Sequence, residues 1–246
     1  MRVPAPLTRP IGAALAAVFA RLAARRGGEA VHTRGVELAG TLAMEPRSRA
    51  GAVLLEPRSP AGAVLLDRPG TYDVRARLSW GLGPWGPLPD VPGLGLRVLD
   101  ADGRGGIQDL ILDGCLPVPH DRVPVLRREL AGWYGTLLRL RRGAADGRKV
   151  QVAVRLDGAG RDLADAAGGL AGRLVAHDRG RLLAVGTLRL DPAGPGDEGR
   201  TRFDLGSAAG GLVSAGFWHD LRVPSYAGSR QGDPRPATPT AAAPRE

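Results

Sequence analysis

Cysteine is nearly missing from this 246-residue chain: Cys115 stands alone. No disulfide can therefore close within the chain, and no cysteine-based zinc site can be built. The four histidines, His32, His120, His177 and His219, show neither HxxxH nor HExxH spacing. Lysine is represented only by Lys149, so nearly all of the positive charge is arginine. Aromatic residues make up 4%, which leaves the core to be built from Leu, Val and Ala. No apolar run is long enough to cross a membrane. There is no GxGxxG, no Walker loop and no GxSxG elbow, so dinucleotide, NTP and serine-hydrolase readings lack support. Glycine does not recur at every third position, which excludes a collagen.

What is present is an ordinary globular composition, with 43% hydrophobic and 24% charged residues. The length suits one large domain or two small ones, and that many apolar side chains can bury a core without staples. The 37 glycines and 21 prolines point to many turns, hence to a sheet-rich fold rather than a helical bundle. The net charge of +9 suggests a nucleic-acid binder. However, the arginines run along the whole chain among acids, and the Ala, Gly, Pro and Arg excess reads as compositional bias, so no nucleic-acid partner is expected. The segment IGAALAAVFA at 11–20 follows Arg2 and Arg9 as a signal-peptide core would. It continues through Arg21, Leu22 and Arg25 at helical spacing, which favours a retained amphipathic helix and a reducing, cytoplasmic location.

Periodicity organises the rest. Residues 1–28 read as a Pro-containing lead and a helix over about 10–26, stopped by Gly27 and Gly28. Strands are expected at Val31–Leu42, Thr71–Ser79, Leu94–Leu99, Ile107–Leu112, Val150–Leu156 and Leu182–Leu190. Asp121–Arg142 reads as a helical stretch interrupted by Pro124 and Gly132. Residues 204–221 read as a short helix or an irregular segment, and 231–246 as a disordered Pro-rich tail. Between the first two strands, AGAVLLEPRSP at 50–60 is repeated as AGAVLLDRPGT at 61–71, a duplication in a loop or hairpin rather than a solenoid. The fold class expected is α+β: an antiparallel sheet, closed as a barrel, with flanking helices.

Singly, the candidate residues are weak. His32 heads a strand, Ser79 ends one, Asp90 and Asp113 sit in turn-rich stretches, and Tyr226 lies in LRVPSYAGSR. In order they say more. VHTRG (31–35), RLS (77–79), PDVPGLGLRV (89–98), QDLILDG (108–114), VGTLRLD (185–191), FDLG (203–206) and RVPSY (222–226) together resemble the haem catalase family, over about residues 29–230. The resemblance implies an antiparallel barrel of the catalase type and a haem b (iron) cofactor. It also implies a reaction with hydrogen peroxide or an organic hydroperoxide, or a catalase-fold protein without turnover that binds haem or another small ligand.

Carried over by position, His32 matches the distal general base and acid, and Ser79 the serine that orients it. Arg77 matches an arginine that pairs with a haem propionate, and Asp90 an acidic residue lining the channel. Arg222 and Tyr226 match the proximal pair in which tyrosinate holds the iron. A guanidinium four residues before the phenol lies one helical turn back and favours the charged phenolate. The chain departs from the pattern at Asp113, where the family has asparagine, and at Glu29, where it has arginine.

Overall fold

A computed structural model describes residues 17, 21, 34–46, 65–81, 89–143, 149–158, 160, 162–194, 201–204 and 206–214. Among these residues are ten strands: β1 (Arg34–Met44), β2 (Gly70–Trp80), β3 (Pro92–Val98), β4 (Gln108–Gly114), β5 (Gly132–Gly135), β6 (Leu140–Arg142), β7 (Lys149–Asp157), β8 (Leu170–Asp178), β9 (Arg181–Pro192) and β10 (Leu212–Ser214). Every pairing is antiparallel, and β1–β2–β3–β4–β5–β7–β8–β9 return to β1, closing an eight-stranded barrel. The two short strands β6 and β10 extend from the edge of β7.

Alternation divides each strand into an inner and an outer face. Leu38, Leu78, Leu94, Leu112, Val154 and Leu174 point inward and are at most 1% exposed. With eight strands the interior is just wide enough to be filled by such side chains, which is what the leucines and valines do. The stagger of the strands can be followed along one cross-barrel row. It runs from Gly35 to Ser79, Gly93, Asp113, Gly135, Ala153, Val175 and Val185. It returns to β1 at Glu45, whose N–H donates to Val185 O at 2.9 Å, ten residues beyond its start.

Two polar devices close and wrap this barrel. At one end, Gln108 is 1% exposed and donates from Nε2 to Leu212 O, while its Oε1 accepts from Leu212 N–H at 3.1 Å. On the outer wall, the Arg97 guanidinium grips the Asp109 carboxylate through two bonds of 2.8 Å. Arg97 also donates to Arg202 O at 2.6 Å, and Asp109 accepts from Asp204 N–H at 2.6 Å. Chain segment 201–204 is thereby strapped across β3 and β4, with Phe203 under the guanidinium.

Several expectations change here. The barrel is present, but flanking helices are not seen among the described residues. Helix there is limited to two 3₁₀ turns, Leu65–Asp67 and Leu163–Gly168, and to Ala17 and Arg21 of the segment expected to be helical. Asp121–Arg142 is not a helix. Gly132 takes φ 121° and Leu137 φ 49°, neither helical, and the stretch folds into turns, β5 and β6. Residues 206–214 are turns and the short strand β10. Strand β8 was not expected, because Val175 and His177 on its outer face are buried and blur its alternation. The first copy of the duplication lies outside the described residues. The second supplies a 3₁₀ turn and the start of β2, within the β1–β2 connection.

Replacing an inward leucine should expose how much the packed interior contributes. Leu94→Ala is expected to lower the unfolding free energy by about 2–5 kcal/mol. The check is a shift of the urea midpoint at unchanged m.

Candidate functional site

The residues singled out from the sequence fall into two groups. His32, Glu29, Arg222 and Tyr226 lie outside the described residues. Arg77, Ser79 and Asp113 are described, and all three point to the outer face, the first two from β2 and the third from β4. Ser79 pairs with Gly35 on one side and with Gly93 on the other, and Gly93 pairs with Asp113. Ser79 and Asp113 are thus two strands apart, about 10 Å at the usual strand spacing. Gly35 is three residues beyond His32.

This strip has a distinct chemistry. Glycines flank Ser79 in its row, and the Arg77 guanidinium carbon lies 2.9 Å from where a Cβ on Gly35 would stand. Ser79 is 3% exposed and Gly93 is buried, so the strip is covered rather than open to water. The Ser79 hydroxyl donates to Gly93 O at 3.3 Å. The neighbouring row is already filled. Arg77 donates to Glu37 at 2.6 Å, and the ring of Phe203 occupies the space a Cβ on Gly95 would need. Asp90 is buried and exchanges two backbone hydrogen bonds with Arg127, and its own carboxylate accepts from Val91 N–H at 2.7 Å.

A flat group such as haem would meet backbone and one hydroxyl on the Ser79–Gly93 part of the strip, while the Arg77 guanidinium already lies against Gly35. The group fits Arg77 less well, because Glu37 neutralises the guanidinium that a propionate would use. Phe203 bounds the strip on the Gly95 side. Among the described residues no cluster of three His, Cys, Asp or Glu side chains could hold a metal ion.

The second constellation escaped sequence reasoning. Residues 115–125 leave β4 as a short hairpin, with Leu116 N–H donating to Val123 O and Val125 N–H to Gly114 O. This flap lies on the outer wall over β5, β7 and β8. Gly135 permits the contact, since a Cβ there would strike Asp121 O and lie 3.0 Å from Cys115 Sγ. At the flap tip Asp121, fully buried, meets His177 Nε2 at 2.9 Å. His177 Nδ1 accepts from Gly180 N–H at 3.3 Å. Since Nδ1 accepts, Nε2 carries the hydrogen donated to Asp121. The only sequence signal for this latch was a polar residue, His177, breaking the alternation of an apolar strand just before a turn.

Nearby, Arg127 stacks on the Tyr134 ring with its guanidinium carbon 4.8 Å from the centroid, and donates to Ala131 O and Trp133 O. The Tyr134 hydroxyl donates to Leu130 O, and burial raises its pKa well above that of a free phenol. Burial, reinforced by the Asp121 carboxylate, pushes the Cys115 thiol up to about 12. The flap cysteine is therefore a protonated core residue rather than a nucleophile.

No family model and no curated protein matches the chain.

Two outcomes follow from the latch. His177→Leu leaves a buried carboxylate without its donor and is expected to cost about 3–5 kcal/mol of stability, measured by denaturant unfolding. Cys115 sets an alkaline limit. Unfolded, the thiol titrates near ~8.5. Folded, it holds its proton to about 12, so the folded state binds more protons between those values. Stability should therefore fall as pH rises through that window. In Cys115→Ala the fall should be shallower, with the slope read from urea midpoints against pH.

Proposed function

We propose that this chain is a haem-binding, catalase-like protein that reacts with hydrogen peroxide or an organic hydroperoxide. The observation that supports the reading is the outward row in which Gly35, Ser79, Gly93 and Asp113 are neighbours. These residues belong to four of the fragments that resemble the haem catalase family. The pairing brings them to one covered strip, with His32 three residues from its edge.

In this reading the haem would supply an iron centre able to take up a peroxide oxygen. The chain's own residues do the rest. The Tyr226 phenolate would hold the iron, and Arg222 would favour its charged form by opposing its negative charge. His32 would accept a proton from the peroxide and return it, work suited to an imidazole that changes charge near neutral pH. Ser79 would fix the His32 ring through its hydroxyl. Asp113 places a carboxylate where the family has a neutral amide, and in this reading it would favour the charged imidazolium, leaving less of His32 unprotonated to accept at a given pH.

A second reading keeps the ligand and drops the turnover. Three features favour it: Asp113 itself, Glu29 in place of an arginine, and the Arg77–Glu37 ion pair that occupies the propionate partner.

The two separate in one experiment on the full chain supplied with haemin. Under the first reading a Soret band forms and Tyr226→Phe alters or abolishes it. His32→Ala keeps the band and slows peroxide consumption by about 10²–10⁴. A Soret band without peroxide consumption in the unaltered chain selects the second reading. Failure to take up haemin removes both.

A further inference from the structure

The outer wall beneath and around the flap carries a feature that the haem reading does not use. Leu126 is 61% exposed, Leu182 56%, Val123 48% and Leu116 40%. Three of them lie on the flap segment and the fourth beside the residue that the flap tip meets. Leu116 and Val123 face each other across the flap, and Leu126 follows within the same segment. Leu182 pairs with His177, the residue to which the flap tip is tied, and the adjoining turn at Gly180 abuts Pro119.

Arginines surround them. Arg122 and Arg128 on the flap segment and Arg179 and Arg181 on the β8–β9 turn are all exposed. The exposed carboxylate among them is Glu129, while Asp178 is ion-paired with Arg139 at 3.6 Å. On the same wall, Arg155 and Arg173 stand directly opposite each other on β7 and β8. Like charges so placed repel, and among the described residues Asp157, 3.1 Å from Arg155, offsets them.

Exposed apolar side chains ringed by arginines on the convex wall of a barrel combine two attractions. Leucine and valine gain by entering the headgroup boundary of a bilayer. Arginines gain from the negative potential of an anionic leaflet. We propose that the flap and the β8–β9 turn form a peripheral docking surface for anionic lipid bilayers. The proposed attachment is through this wall; no helix among the described residues is long and apolar enough to cross a membrane. Charge complementarity selects the bilayer as occupant, because the face carries excess positive charge around its apolar centre.

The test is co-sedimentation of the full chain with vesicles containing phosphatidylserine, compared with vesicles of phosphatidylcholine alone. The expected result is binding to the former only, weakening as salt is raised. The double variant L126S/L182S should lose most of that binding. Arg181→Gln should weaken it by about five-fold, the worth of one cation at such a surface. Arg104→Gln, on the β3–β4 turn, removes the same charge outside this face and should leave binding unchanged. Circular dichroism confirms that each variant is folded. Absence of binding by the folded, unaltered chain overturns the proposal, as does an equal loss in Arg104→Gln. A third overturning result is L126S/L182S dissociating an oligomer while vesicle binding persists, which would make this face a contact between copies.

Discussion

The pairing of β9 with β1 is the constraint on which everything else depends. Without it the strands would form an open sheet with two exposed edges, a template for uncontrolled pairing. With it, the sheet closes at a stagger of ten residues, Val185 meeting Glu45. Closure defines an inside, which the leucines fill, and an outside, on which the Arg97–Asp109, Arg77–Glu37 and Asp121–His177 pairs are mounted. The row that unites Ser79, Gly93 and Asp113 exists because this stagger and the strand registers are fixed together.

Polar groups on the outer wall hold its coverings in place. Arg97 and Asp109 form a bidentate pair on neighbouring strands and use their remaining capacity to bind the backbone of 202–204. Asp121 and His177 do the same work for the flap, joining segments 56 residues apart. Arg142 and Asp67 pair beside the 3₁₀ turn that, with Gln108, closes one end. Each removes charge or hydrogen-bonding capacity from water and recovers it through close geometry, so each specifies where a segment lies more than it adds to stability. The hydrophobic interior supplies the stability, and these pairs supply the placement.

How far the sequence could be read follows from the same division. Tyr72, Val74, Ala76 and Leu78 alternate with Asp73, Arg75, Arg77 and Ser79, and β2 stands within one residue of its expected bounds. Strands β3, β4, β7 and β9 were legible for the same reason. Where the outer wall is covered, the period-two signal fails: Val175 and His177 under the flap hid β8. Asp121–Arg142 misled because its apolar residues serve three short elements in turn, a flap, β5 and β6, and their sum mimics a helical period. Of the candidate site, the shared face of Arg77, Ser79 and Asp113 follows from strand parity. The Arg77–Glu37 pair and the Asp121–His177 latch depend on contacts between distant segments, which no local pattern announces.

The proposed function places a flat iron-bearing ligand against the outward Gly35–Ser79–Gly93–Asp113 strip rather than inside the barrel. The most direct measurement is the amide NMR spectrum of isotope-labelled protein before and after addition of ferric haemin, whose unpaired electrons broaden nearby resonances. The amides of Gly35, Ser79, Gly93 and Asp113 are expected to disappear first, while those of Leu163–Gly168 stay sharp. Broadening confined to the flap, or none at saturating haemin, would contradict this placement.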